Sequence, residues 1–167
     1  MARWFPTNFL EYIAGGNVWR IGIGYTAVSN GAYTGIGFTT PATGQCLCAL
    51  SDIQKTGGEV MVSALEGATL GGTPSALTPH NYNRIIGDSG TPFTSPAQTD
   101  TVTGGSIIGE ALMGGTAVGA TKLGGAASGT LFFALKPSTT YFWKMEAEQA
   151  NVTLEAHLDV LYLTASL

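Results

Sequence analysis

Charge is what this sequence has least of. Only 11% of its 167 residues are Asp, Glu, Lys or Arg, against roughly 25% in an ordinary globular domain. The seven basic residues, Arg3, Arg20, Lys55, Arg84, Lys122, Lys136 and Lys144, form no cluster. A phosphate backbone is held by several cations on one face, so no nucleic-acid partner is expected. Cysteine is nearly absent as well. Cys46 and Cys48 cannot supply a disulfide framework, and two residues apart on a strand they project from one face. They read as two small buried hydrophobes. No apolar run approaches the roughly 18 to 20 residues of a membrane-spanning helix, so no membrane partner is expected. Nor does an apolar stretch of about 7 to 15 residues follow Arg3 to make a secretory signal, so maturation in a cytosol is the expectation.

What the chain does have is 44% hydrophobic residues and 24 glycines. At this length folding takes roughly 70% of the unfolded chain's surface out of water, which is enough for a core. The glycines keep no period of three, and collagen is excluded. The expectation is a single soluble, all-β domain whose surface is weakly defended against association.

Residues 1–16 carry the aromatics Trp4, Phe5, Phe9 and Tyr12 and end at Gly15-Gly16. They read as an N-terminal arm or a short first strand, buried against the domain's own sheet or against a neighbouring subunit. Residues 17–167 read as one β-sandwich domain. Its hydrophobic period is two: Trp19, Ile21, Ile23 and Tyr25 share a face, as do Val60, Val62 and Ala64, then Tyr141, Trp143, Met145 and Ala147. The terminal strand is the clearest, with Val152, Leu154, Ala156, Leu158, Val160 and Tyr162 on one side. Thr153, Glu155, His157 and Asp159 lie on the other. Strands with one wet face imply antiparallel layers rather than a parallel sheet covered on both sides. Asn30-Gly31 predicts a type I′ hairpin turn. Pro74, Pro79, Pro92 and Pro96 predict loops and edge strands across the middle third. Only Ile107 to Val118 leaves room for a short helix. About eight strands in this pattern predict a jelly roll.

Catalytic chemistry needs titratable groups brought together, and few are available. Glu155, His157 and Asp159 stand along one strand with parallel side chains about 6.5 to 7 Å apart, so they do not converge on a metal without help from another strand. They read as a solvated or interface face. Cys46, Cys48, His80 and His157 could in principle assemble a tetrahedral site, the weaker reading of those four residues. Gly22-Ile23-Gly24 and Gly35-Ile36-Gly37 lack the following helix and Lys-Ser/Thr of a phosphate loop, and read as bulges or close packing. No cofactor, no metal and no enzymatic activity are expected.

From residue 59 to residue 86 the chain reads Glu-Val-Met-Val-Ser-Ala-Leu-Glu-Gly-Ala-Thr-Leu-Gly-Gly-Thr-Pro-Ser-Ala-Leu-Thr-Pro-His-Asn-Tyr-Asn-Arg-Ile-Ile. Together with the Lys136-Pro137-Ser138-Thr139-Thr140-Tyr141 turn and the alternating strand to Leu163, this resembles small virion-associated proteins of tailed bacteriophages. The likeness covers about two thirds of the chain, and it does not extend to the Cys46 strand or the N-terminal arm. It implies a β-sandwich head decoration or cement protein, assembled in the host cytoplasm and located on the capsid surface. Its partners would be the major capsid protein and further copies of itself, as a dimer or trimer. The rival class is a tail or fibre module that binds host-surface glycan. Trp4, Phe5, Phe9 and Tyr12 of the arm are expected at interfaces. Asn81, Asn83 and Arg84 are expected either to tie a long loop to backbone carbonyls or to take part in recognition.

Overall fold

The structure, a computed structural model, describes residues 9–113, 121–122, 132–149 and 151–164, leaving aside the Tyr25, Thr121 and Lys122 side chains. Among the described residues a short helix, α1 (Phe9–Ala14), precedes twelve strands. These are β1 (Val18–Val28), β2 (Tyr33–Thr39), β3 (Gln45–Gly57), β4 (Val60–Leu70), β5 (Ser75–Ala76) and β6 (His80–Asn81). Next come β7 (Thr94–Thr99), β8 (Val102–Met113), β9 (Thr121–Lys122), β10 (Phe132–Leu135), β11 (Thr140–Ala147) and β12 (Val152–Leu163). They form two antiparallel sheets. The first has the order β10-β3-β12-β1-β6, with β9 also on β3; the second has the order β5-β7-β2-β11-β4-β8.

The expected all-β sandwich is therefore present, and its strand order is that of a jelly roll. Eight strands pair in nested fashion: β1 with β12, β2 with β11, β3 with β10, and β4 with β8. The chain is in effect one long hairpin of strand pairs, rolled so that alternate pairs fall in opposite layers. The bend of that hairpin is the proline-rich segment between β4 and β8. Its β5 and β7 extend the second sheet beyond β2, and β6 extends the first beyond β1.

Period-two alternation places the apolar faces between the layers. Trp143, Phe38, Ile21, Ile36, Ile53, Met145, Leu154 and Leu158 are wholly buried there. An aromatic chain crosses the sandwich: Trp143 stacks on Phe38 at 5.5 Å, Phe38 meets Phe93 at 5.1 Å, and Phe93 meets Trp19 edge-on at 6.4 Å. Such stacked and edge-to-face pairs add to the burial term because ring quadrupoles attract in both arrangements. Cys46 and Cys48 are free and buried in this core. Burial pushes the Cys46 thiol up to about 12 and the Cys48 thiol well above its ordinary value. Gly35 and Gly37 permit close packing on the outer face: a Cβ at Gly35 would lie 2.4 Å from the Phe142 ring, and one at Gly37 2.6 Å from Leu70.

Three local expectations are corrected. Asn30-Gly31 does not make a type I′ hairpin. Only Gly31 has positive φ, the Ser29 carbonyl accepts from the Ala32 N–H at 2.9 Å, and the turn carries the chain from one sheet to the other. That is the pattern of a type II turn, held here because the Gly31 N–H donates to Ala147 and Asn151 Oδ1 accepts from the Asn30 N–H. Of the stretch from Ile107 to Val118 that leaves room for a short helix, Ile107 to Met113 is strand and residues 114–118 lie outside the described residues; Ile108 is the extra residue of a bulge opposite Ala64 and Leu65, which breaks the alternation. The N-terminal segment is helical from Phe9 to Ala14, and no strand forms there.

Candidate interaction surface

The sequence from Phe9 to Ala14 places Phe9, Tyr12 and Ile13 on one side of a helix, because residues three and four apart share a face. That side packs on Val18, Leu161 and Leu163, which point outward from β1 and β12, with Leu47 and Tyr82 completing the cluster. The helix thus roofs one end of the first sheet's outer face. Gly16 stops it with φ of 73°, and the last-turn carbonyls are reused by the amides of Gly15, Gly16 and Asn17.

The segment from His80 to Asp88 locks this roof in place. Asn81 is buried; its Nδ2 donates to the Gly16 carbonyl at 2.8 Å and its Oδ1 accepts from the Asn83 N–H at 2.7 Å. Asn83 Nδ2 donates to the Ala14 carbonyl at 2.7 Å, and Asn83 Oδ1 accepts from the Ile85 N–H. Asn83 therefore satisfies the last carbonyl of the helix, which has no intrahelical partner, and Asn81 that of Gly16 in the turn beyond it. Arg84 Nη1 reaches Asp88 Oδ1 at 2.5 Å and the Asn81 carbonyl at 3.4 Å. Asp88 also accepts from the Asn81 N–H at 2.8 Å, and its other oxygen lies 2.8 Å from His80 Nδ1. His80 first, then the Asn81 N–H and Arg84, hold the Asp88 carboxyl down at about 2.

Beneath the loop lies a second polar knot. Arg20 and Asp159 face each other across β1 and β12, with Nε–Oδ1 at 2.9 Å and Nη2–Oδ2 at 3.2 Å. Tyr82 donates to Asp159 Oδ1 at 2.8 Å, and the Arg20 guanidinium lies 5.2 Å from the Tyr82 ring centre. The hydrogen bond to Asp159 raises the Arg20 pKa, while burial, then the neighbouring Asp159 charge, raises that of Tyr82. Asp159 is thus buried and paired, unlike the solvated position its strand pattern gives it. His157 Nε2 lies 3.5 Å from Glu155. Among the described residues, no group of three or more His, Cys, Asp and Glu side chains could hold a metal ion.

Around the knotted backbone three apolar side chains point out beside the exposed polar ones of Glu11, His80 and Arg84. Ile85 is 98% exposed, Leu10 79% and Ile86 48%. The sequence names Phe9, Tyr12, Asn81, Asn83 and Arg84, and the structure brings all five to this end of the molecule. Trp4 and Phe5 lie outside the described residues. Sequence reading missed Asp88, Tyr82 and the Arg20–Asp159 pair; the one local signal was the Arg84-to-Asp88 spacing of four. It also missed Leu10, which sits on the helix face opposite the packed one. Among the described residues no helix is long and apolar enough to cross a membrane. No family model matches the chain, and no curated protein matches it in sequence.

Proposed function

We propose that the chain is a non-enzymatic structural protein of a bacteriophage virion, a decoration or cement protein that binds the outer surface of the head and stabilises the lattice of the major capsid protein. The observation that carries this reading is the end formed by α1 and the 80–88 loop, where Ile85 and Leu10 project from a backbone that side-chain hydrogen bonds already hold. Exposed apolar groups mark contact surfaces. A pre-ordered loop loses little entropy on binding, and weak contacts repeated over a symmetric shell sum by avidity. The likeness of residues 59–86 to virion proteins takes in this loop as far as Ile86.

Purified protein should co-sediment with heads that lack it. Ile85→Asp should abolish binding while changing folding stability by no more than about 0.5 kcal/mol, as for a surface position. Failure of the unaltered protein to bind such heads overturns the reading.

A tail or fibre module for host glycan draws support from one feature, a cleft of about 370 Å³ lined by Thr26, Ser29, Thr34, Thr73, Gln98 and Asp100. Trp19 and Trp143, the rings a glycan would stack on, are buried in the core. Copy number separates the two: occupancy across the whole head lattice against a handful of copies at a tail.

A further inference from the structure

The charge deficit has its clearest structural expression at one sheet edge. Among the described residues, the edge strands β5 and β6 have two residues each and β10 has four, whereas β8 has twelve and pairs only with β4. An edge strand leaves a row of N–H and C=O groups unpaired, and proteins normally guard such rows with lysine, proline or inward-pointing charge. β8 has no lysine, arginine or proline. Its single charge, Glu110, accepts from Ser63 Oγ at 3.1 Å on the neighbouring strand. Two irregularities, the positive-φ pair Gly104-Gly105 and the Ile108 bulge, lie in its first half, and Gly109 to Met113 run in unbroken register with Ala64 to Val60.

The outer face beside this edge carries two exposed apolar side chains, one on either side of the Ser63–Glu110 pair. Ile107 stands opposite Leu65, and Leu112 opposite Met61. Ile107 is 58% exposed and Leu112 55%.

We infer that β8 is a self-association edge: two copies of this chain pair β8 to β8, antiparallel about a two-fold axis, joining their second sheets into one continuous sheet. A second copy presents the same open row, and the charge pattern does not oppose its pairing. Because every β8 residue but Glu110 is uncharged, every two-fold register except the one centred on Glu110 sets its carboxylate opposite a neutral residue. The pairing is isologous, so it closes on itself and consumes the open row on both partners. The two copies' Ile107 and Leu112 side chains then flank the same junction. The dimer is a property of the isolated protein and does not rest on the virion reading.

Sedimentation velocity across a concentration series tests it, together with hydrogen exchange of the β8 amides. The unaltered chain should form dimers, and its β8 amides should gain protection as concentration rises. The double variant Ile107→Lys, Leu112→Lys should associate at least about a hundredfold more weakly while keeping its far-ultraviolet circular dichroism, because lysine at an edge opposes strand addition. Should that variant fail to fold, the concentration dependence of β8 protection in the unaltered chain decides. A monomer at about 100 μM overturns the inference, since a dimer with micromolar Kd would form there. So does a dimer indifferent to both lysines, which puts the contact elsewhere. Protection of β8 that is independent of concentration, in a monomer, overturns it too and assigns the edge to the chain's own residues.

Discussion

The outer face of the first sheet is roofed at one end by α1, whereas among the described residues no helix roofs the outer face of the second at β8. Both carry aliphatic residues where a two-layer sandwich normally shows polar ones. At the first, Leu161, Leu163 and Val18 are covered because Asn83 and Asn81 supply hydrogen-bond partners to the last carbonyl of the helix and to that of Gly16 beyond it. At the second, Ile107 and Leu112 meet no such roof among the described residues. The contrast teaches that apolar area alone does not bring a cover down onto a sheet. A cover is also backbone, and its polar ends must be satisfied before burial of its side chains is favourable.

The largest test of that contrast is a matched pair of truncations. Leu161→Ala, beneath the roof, should cost about 2 to 5 kcal/mol in denaturant unfolding, while Leu112→Ala, at the open edge, should stay within about 0.5 kcal/mol for the monomer. Equal losses would mean that the two faces do not differ in cover. Next in size is Asn81→Ala, which leaves the Gly16 carbonyl and the Asn83 N–H unpaired and should cost about 1 to 3 kcal/mol. Faster hydrogen exchange at Gly15 and Asn17, with the β4 amides unchanged, would show that the loss is local to the roof.

The smallest effect is an acid one. The Asp88 carboxyl is held at about 2, below its ordinary 3.8, so it is more readily ionised in the folded protein than in the unfolded one. The ties it makes contribute fully above pH ~4, and that contribution fades as pH falls toward ~2. Asp88→Asn should therefore be less stable than the parent near neutrality, with the gap closing between pH ~4 and ~2. A gap that stays constant over that range would show that the Asp88 charge does not hold the loop.

Much of the fold was legible because a half-buried strand advertises itself: β12, β11 and β4 alternate over much of their length and bury the faces that alternation names, although Asp159, Leu161, Phe142 and Ser63 are buried on the other face. The helix was not, since six residues make fewer than two turns and cannot establish a 3.6-residue period. β8 was ambiguous for a different reason: the bulge at Ile108 shifts its alternation midway. At the candidate surface, Asn81, Asn83 and Arg84 were nameable by residue type, yet their roles depend on partners that only the fold supplies. Gly16 is 65 residues from Asn81, and Arg20 is 139 from Asp159. Nothing in the neighbourhood of Asp159 announces that an arginine and a tyrosine will bury it.

The nested pairing of the strands also dictates an order of events during synthesis. β12 lies between β3 and β1 in the first sheet, so those two strands leave the ribosome long before the segment that joins them. Until then each has an unpaired flank, in a chain with few charges to keep it from neighbouring chains. Folding is thus gated by the arrival of β12, and its contacts are among the most distant in sequence that the molecule makes, which sets a slow pace for closure. The interval before closure is the time at which nascent chains are most exposed to pairing with one another.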